Sequence, residues 1–242
     1  MRLSVQLYTL RDDLSKDVLG TLQQVREIGF EYVELAGFFD KSVDEWESML
    51  GGLGLKANGM HVGIDAMESD FAGSTSALNQ LGAKYAIIPW LNPEQRGNWE
   101  GLGKKLDELG VRTKAAGLQL AYHNHDFEFV DNGLEKLFAS CSPENVKSEL
   151  DLAWVQIGGA QPEMWIRKLS DRLPLVHLKD YDPTANPQWV PGGEGDVNWG
   201  TILPACEEVG VEFGVIELDA YAGAPMDAVR KSFEYFSAKG LA

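Results

Sequence analysis

The order of elements legible in this 242-residue chain predicts an α/β fold, the (β/α)8 or TIM barrel. Three observations predict it. Short apolar runs of strand length alternate with amphipathic helical stretches roughly every 30 residues, the signature of βα units on a parallel sheet. Eight such units can be read along the chain, and a barrel of eight takes about 250 residues. No linker rich in Pro, Ser or Gly divides residues 1–242, so one TIM-barrel domain is expected over that whole span.

The first strand is read at Leu3 to Leu7, ending in Tyr8, Thr9 and Arg11. The helix after it places Leu14, Val18, Leu22, Val25 and Ile28 on one face and stops at Gly29. The second strand, Tyr32 to Leu35, carries Glu34 inside an apolar run, and Ser42 with Glu45 forms a capping box for the next helix. Leu55 to His61 is the third strand, with a helix from Ser74 to Leu81 behind it. Lys84 to Pro89 is the fourth, tipped by Trp90; Asn98 caps a long helix, Trp99 to Ala116. The fifth begins at Leu118 and runs into Tyr122-His123-Asn124-His125-Asp126, followed by a short helix, Leu134 to Ser140. The sixth is Val146 to Leu152. Pro162 at a first turn opens a helix from Glu163 to Leu173. The seventh is Leu175 to Leu178, followed by a segment rich in Pro and Gly that is long for a βα loop. A helix from Trp199 to Val209, the eighth strand from Phe213 to Leu218 and a helix from Met226 to Ala238 complete the series.

Composition narrows the function. Acidic residues outnumber basic ones 37 to 21, for a formal net charge of −16. Such a field repels phosphate backbones, so no nucleic-acid partner is expected. No apolar run is long enough to cross a membrane, and none resembles a signal peptide. Cys141 and Cys206 fit no metal or redox spacing and read as free thiols, which suits a cytoplasmic setting. Homo-oligomerisation is left open by the sequence.

Strands of a parallel barrel are buried on both faces, so charged groups inside them need a reason. His123, Asp151, His177 and Glu217 fall one each on the fifth to eighth strands, at or near the C-terminal ends. Neighbouring strands lie about 4.8 Å apart, and their tips meet at the mouth where barrel enzymes keep their sites. Mixed oxygen and nitrogen donors suit one divalent ion, Mn, Co or Zn, with Mg as a further candidate. Taken singly, Asp151 has a lesser rival reading as a turn cap and His177 reads equally as a core histidine; a buried carboxylate at Glu217 is harder to explain without a cation.

The segments SVQLYTLRD, GMHVG, YHNHDFEF, ELDLAWV, HLKD, GGEGDVNW and VIELD, in this order, resemble the xylose isomerase-like TIM barrel superfamily, the sugar phosphate isomerases and epimerases. That resemblance implies one divalent metal held by an acid on the fifth strand, an Asp on the sixth, a His on the seventh and a Glu on the eighth. The last three carry over to Asp151, His177 and Glu217. On the fifth strand His123 stands where epimerases have Glu, and the YHNH form is closer to the inosose dehydratase-like branch. Either His123 completes the set or Glu128 reaches back to it; His123 is preferred.

The resemblance implies a sugar isomerase or epimerase that takes a proton from carbon next to a carbonyl and passes through an enediolate. The alternative on the same site is a dehydratase or lyase. Glu217, His123 and Lys179 are the catalytic candidates, with Lys179 or a histidine holding an enediolate oxygen. His61, His125, Glu34, Tyr8 and Trp90 are candidates for contact with a carbohydrate substrate. Trp154 and Trp189 read as apolar walls, and Glu194 as facing substrate or solvent. An endonuclease IV-like repair enzyme is disfavoured by the acidic charge and by there being only four histidines. A non-catalytic sugar-binding barrel is disfavoured by the Asp151, His177 and Glu217 set, because binding alone needs no metal plus base.

Overall fold

The computed structural model describes residues 1–242. The strands are β1 (Arg2–Gln6), β2 (Tyr32–Leu35), β3 (Lys56–His61), β4 (Tyr85–Ile88), β5 (Gln119–His123), β6 (Val146–Asp151), β7 (Leu175–Leu178), β8 (Asp180–Tyr181), β9 (Trp189–Val190) and β10 (Phe213–Ile216). Eight of them close in the order β1-β10-β7-β6-β5-β4-β3-β2. β1 pairs in parallel with both β2 and β10, so no edge is left open. Helices stand between successive barrel strands, as parallel pairing requires.

Local chemistry sets the helix ends. Ser42 Oγ accepts from Glu45 N at 3.2 Å while Ser42 N donates to Glu45 Oε2 at 2.8 Å, completing the capping box. Asn98 Oδ1 accepts from Gly101 N at 3.0 Å and starts the helix Trp99–Ala115. Three segments differ from the sequence reading. The helix before β2 is broken into Arg11–Leu14 and Val18–Ile28 because Asp17 takes an extended conformation and caps a new start. Between β3 and β4 there are two helices, Ile64–Ser69 and Phe71–Gln80, with Asp70 capping the second. The helix begun by Pro162 ends at Lys168, short of the sequence boundary at Leu173. In the long segment after β7, β8 and β9 pair antiparallel as a small hairpin.

A cluster of 59 buried apolar residues fills most of the core. A second, smaller cluster joins Tyr85, Ile87, Ala121, Leu175, Phe213 and Val215 from four neighbouring or facing strands. The period of two along a strand explains what stands above it. Ala121 is followed on the same face by His123, Leu175 by His177 and Lys179, and Val215 by Glu217 and Asp219. The apolar floor and the polar mouth are one inward face read in sequence. Gly59 shows how tightly β3 packs: a Cβ there would meet Ile87 Cδ1 at 2.8 Å and Tyr85 O at 3.1 Å. The register between β2 and β3 shifts at Val33/Glu34.

Candidate metal centre

The mouth holds two groups of possible donors that share one residue. Donor atoms of His123, Asp151, His177 and Glu217 lie within 4.8 Å of one another, as do those of Glu34, His61, Glu149 and His177. His177 is fully buried and stands between them. Its Nδ1 is 2.9 Å from Glu217 Oε2 and 3.9 Å from Asp151 Oδ2. Its Nε2 is 3.1 Å from both Glu34 Oε1 and Glu149 Oε2.

Hydrogen bonding separates the two groups. The lower one is closed except at Glu149 Oε1: His61 Nε2 is 2.8 Å from Glu149 Oε2 and 3.3 Å from Glu34 Oε1. Glu34 also accepts from Gln6 Nε2 at 2.8 Å and from Asn58 Nδ2 at 2.9 Å. The upper group is open. Both ring nitrogens of His123 and Asp151 Oδ2 are buried with no hydrogen-bond partner, and His123 Nε2 is 3.5 Å from Asp151 Oδ2. Buried polar atoms are almost always paired, so a group of orphans facing one another marks a place for something they bind. Two imidazoles and two carboxylates fit a divalent ion. Three orphaned donor atoms gather in the upper group, whereas in the lower one Glu149 Oε1 alone lacks a partner.

The local structure presents each donor. Asp151 Oδ1 accepts from Trp154 N at 2.9 Å, capping the helix Leu152–Ile157 and leaving Oδ2 to face His123 and the Lys179 ammonium. It is thus both the cap and the candidate ligand. Asn124 Oδ1 accepts from Asp151 N at 3.0 Å and ties the tips of β5 and β6 together. Thr9 Oγ1 accepts from Leu218 N at 3.0 Å and does the same for the ends of β1 and β10.

Electrostatics set the protonation states. Burial pushes Glu217 up, but the Lys179 ammonium and the His177 ring outweigh it and hold the carboxyl well below the usual range. Burial opposes ionisation of Asp151 too; Lys179 and His123 bring it down to about 2. Burial would lower His61, but hydrogen bonds to Glu149 and Glu34 raise it to about 9. Burial, then the charges of His123 and Lys179, take His125 down to about 2, so it is neutral.

Two sequence expectations need correction, Glu34 and Lys179, and the structure decides between the alternatives left open at Glu128 and Glu194. Glu34 does not face substrate: it is fully buried, beneath His61 and His177. Lys179 is also fully buried and does not line the cavity; Glu217 Oε2 lies at 2.7 Å, Asp219 Oδ2 at 3.0 Å and Asp151 Oδ2 at 3.2 Å from its Nζ. It holds the carboxylates in place. Glu128 does not reach the metal group, because Tyr122 Oη donates to it at 2.6 Å and His125 N at 2.9 Å. Glu194 pairs with Lys231 at 3.1 Å on the surface. Tyr8, His61, Trp90, His123, His125 and Glu217 do line one cavity of about 640 Å³ above the donors, together with Trp154, Asp126 and Asp219. Trp189 packs edge-on to Trp154 with centroids 4.9 Å apart. Glu149 and Asp219 are the groups the sequence reading passed over. Their signal is strand parity, since each lies two residues from Asp151 or Glu217.

A closed parallel barrel with its polar set at the C-terminal strand tips has the architecture of a TIM-barrel enzyme. The sequence model of the xylose isomerase-like TIM barrel family matches residues 22–239, and the chain belongs to that family. Among curated proteins it is similar to the inosose dehydratase of Geobacillus kaustophilus, 23% identical over 186 residues, 66% of this chain and 60% of that protein. The matched region thus spans less than two thirds of that relative's length. Among solved structures it superposes on a sugar phosphate isomerase/epimerase from Parabacteroides distasonis with a TM-score of 0.85 and 21% identity, covering 98% and 97% of the two chains. The IolI protein, solved with a bound zinc atom, gives a TM-score of 0.78 at 17% identity and 98% and 97% coverage. At such identities the structural likeness speaks for the barrel alone.

Proposed function

We propose that the chain is a divalent-metal-dependent enzyme acting on a keto-sugar or inositol-like polyhydroxy ketone, and that it dehydrates this substrate after taking a proton from the carbon next to the carbonyl. The observation that carries the reading is the buried donor group of His123, Asp151, His177 and Glu217, in which both His123 nitrogens and Asp151 Oδ2 have no hydrogen-bond partner. A divalent ion held there supplies Lewis-acid polarisation of a carbonyl. The residues do the rest. Glu217 lines the cavity, is ionised and is poorly solvated, which suits abstraction of a proton from carbon. Lys179, locked behind it, keeps Glu217, Asp151 and Asp219 in fixed positions. The C–H electron pair then moves into the enediolate. Loss of a hydroxyl from the next carbon needs a proton, which His61 carries at neutral pH. His61 Nε2 is tied to Glu149 and Glu34, leaving Nδ1 as its free nitrogen.

Dehydration is favoured over epimerisation for two reasons. The curated relative is an inosose dehydratase. His123 also occupies the fifth-strand position where the resembling epimerases carry a second glutamate. If no hydroxyl leaves, the same enediolate is reprotonated and the outcome is epimerisation or isomerisation, with His123 as the second proton carrier. The test is metal analysis of the purified protein, then incubation with inososes and keto-sugars in deuterated solvent. Stoichiometric divalent metal, deuterium uptake and an unsaturated product are expected. Protein that binds no divalent metal and exchanges no substrate proton would sink the reading.

A further inference from the structure

We infer, resting on the site proposed above, that the cavity takes an uncharged polyhydroxylated substrate and discriminates against phosphorylated sugars. Three carboxylates, Asp126, Glu217 and Asp219, stand among its eleven lining residues, and no lysine or arginine does.

Each lysine and arginine near the mouth is already engaged, and the His61 ring that lines the cavity is paired through Nε2 with Glu149 and Glu34. Lys179 is enclosed by Asp151, Glu217 and Asp219. Arg11 donates to the carbonyls of Tyr8 at 2.8 Å and Asp219 at 2.9 Å, with its guanidinium 4.2 Å from the Tyr8 ring centre. Arg96 donates from Nε and Nη2 to the Leu91 carbonyl at 3.1 and 2.9 Å and lies over Phe127 and Trp90. Neither arginine lines the cavity.

The backbone offers no phosphate cradle either. TIM barrels commonly bind phosphate at the loops after the seventh and eighth strands, through free amides and helix N-termini. Here the Gly-rich loop between β9 and the next helix is filled by the chain itself. Asp180 Oδ2 accepts from Gly193 N at 2.8 Å and Asp180 Oδ1 from Val197 N at 3.1 Å, while Gly192 N donates to Ser232 Oγ at 2.9 Å. The protein's own carboxylate sits where an anion would. The helix after β10 starts at Pro225, which has no amide hydrogen to offer. A divalent ion in the proposed centre would add two positive charges, yet the carboxylates of Asp126, Glu217 and Asp219 line the cavity itself. Tyr8 and Trp90, each nearly half exposed, present instead ring faces that suit the C–H surface of a polyol.

The experiment uses Mn-loaded protein and matched pairs, myo-inositol against its 1-phosphate and fructose against its 6-phosphate, with binding followed by calorimetry. The neutral member of a pair should bind at least tenfold more tightly, and the gap should narrow with salt. A phosphorylated member that binds equally or better overturns the inference. A second arm needs no substrate. Fluorescence quenching at Trp90, taken as the difference between wild type and Trp90→Phe, should show an iodide-to-caesium ratio several-fold below that of free N-acetyltryptophanamide; an equal or higher ratio overturns the inference. Metal content and deuterium exchange test the catalytic reading separately, so either can fail while the other stands.

Discussion

Replacing Lys179 with methionine tests what holds the carboxylates together. The ammonium is fully buried, with Glu217 at 2.7 Å, Asp219 at 3.0 Å and Asp151 at 3.2 Å. Removing one partner from a buried ion pair leaves an uncompensated charge and costs about 3–5 kcal/mol. Three carboxylates share this cation, so metal-free Lys179→Met should lose about that much, a large part of the roughly 5–15 kcal/mol that holds a domain folded. A divalent ion offers the same carboxylates a replacement cation without competition from the ammonium. The variant should therefore bind metal at least about tenfold more tightly, gaining about 1.4 kcal/mol more from it than wild type does. Urea unfolding of both proteins, in chelator and at one fixed Mn concentration, measures both quantities. A metal-free loss under about 1 kcal/mol, or no extra stabilisation by Mn, would refute the assignment of Lys179 as the clamp on these acids.

Three further outcomes are expected. Glu217→Gln should bind metal more weakly and lower substrate C–H exchange with deuterated solvent by about 10²–10⁴-fold; a fall of less than about tenfold moves the base elsewhere. His123→Ala breaks no hydrogen bond in the metal-free protein, so metal affinity should drop sharply with little change in chelator-treated stability, whereas His177→Ala should lose both because Glu34, Glu149 and Glu217 lose their shared partner. Titration calorimetry and unfolding curves on the two variants compare these. Burial raises Glu128 to about 7 in the fold, against the hydrogen bonds from Tyr122 and His125 N. The folded state therefore holds a proton that the unfolded chain releases from about pH 4.5 upward. Stability from this group falls as pH rises to about 7 and is flat beyond, a loss of roughly 2–4 kcal/mol. Glu128→Gln should remove that slope, and parallel slopes in the two proteins would disprove it.

The barrel was legible because its signals are local. Apolar runs bounded by Gly, Pro and capping residues mark elements, and β2, β7 and the helix Trp199–Val209 match the sequence reading to the residue. Asp151, His177 and Glu217 stood out because a charge inside an apolar strand is costly wherever the strand lies. The breaks at Asp17 and Asp70 were missed because a side chain that caps a helix looks, in sequence, like any acid on a helix surface.

What the sequence alone determined, then, is the fold class, the face on which the candidate donors lie and the strand tips that carry them. All follow from periodicity and from the cost of burying charge. Only the tertiary structure decided which polar groups answer one another. Glu34 and Glu149 close a hydrogen-bonded layer beneath His177, Lys179 turns to the carboxylates and away from the cavity, and Glu128 bonds to Tyr122. Each of these partnerships joins atoms brought together by strand register or loop path, and hydrogen bonds and ion pairs depend on ångström separations that spacing along a chain does not contain.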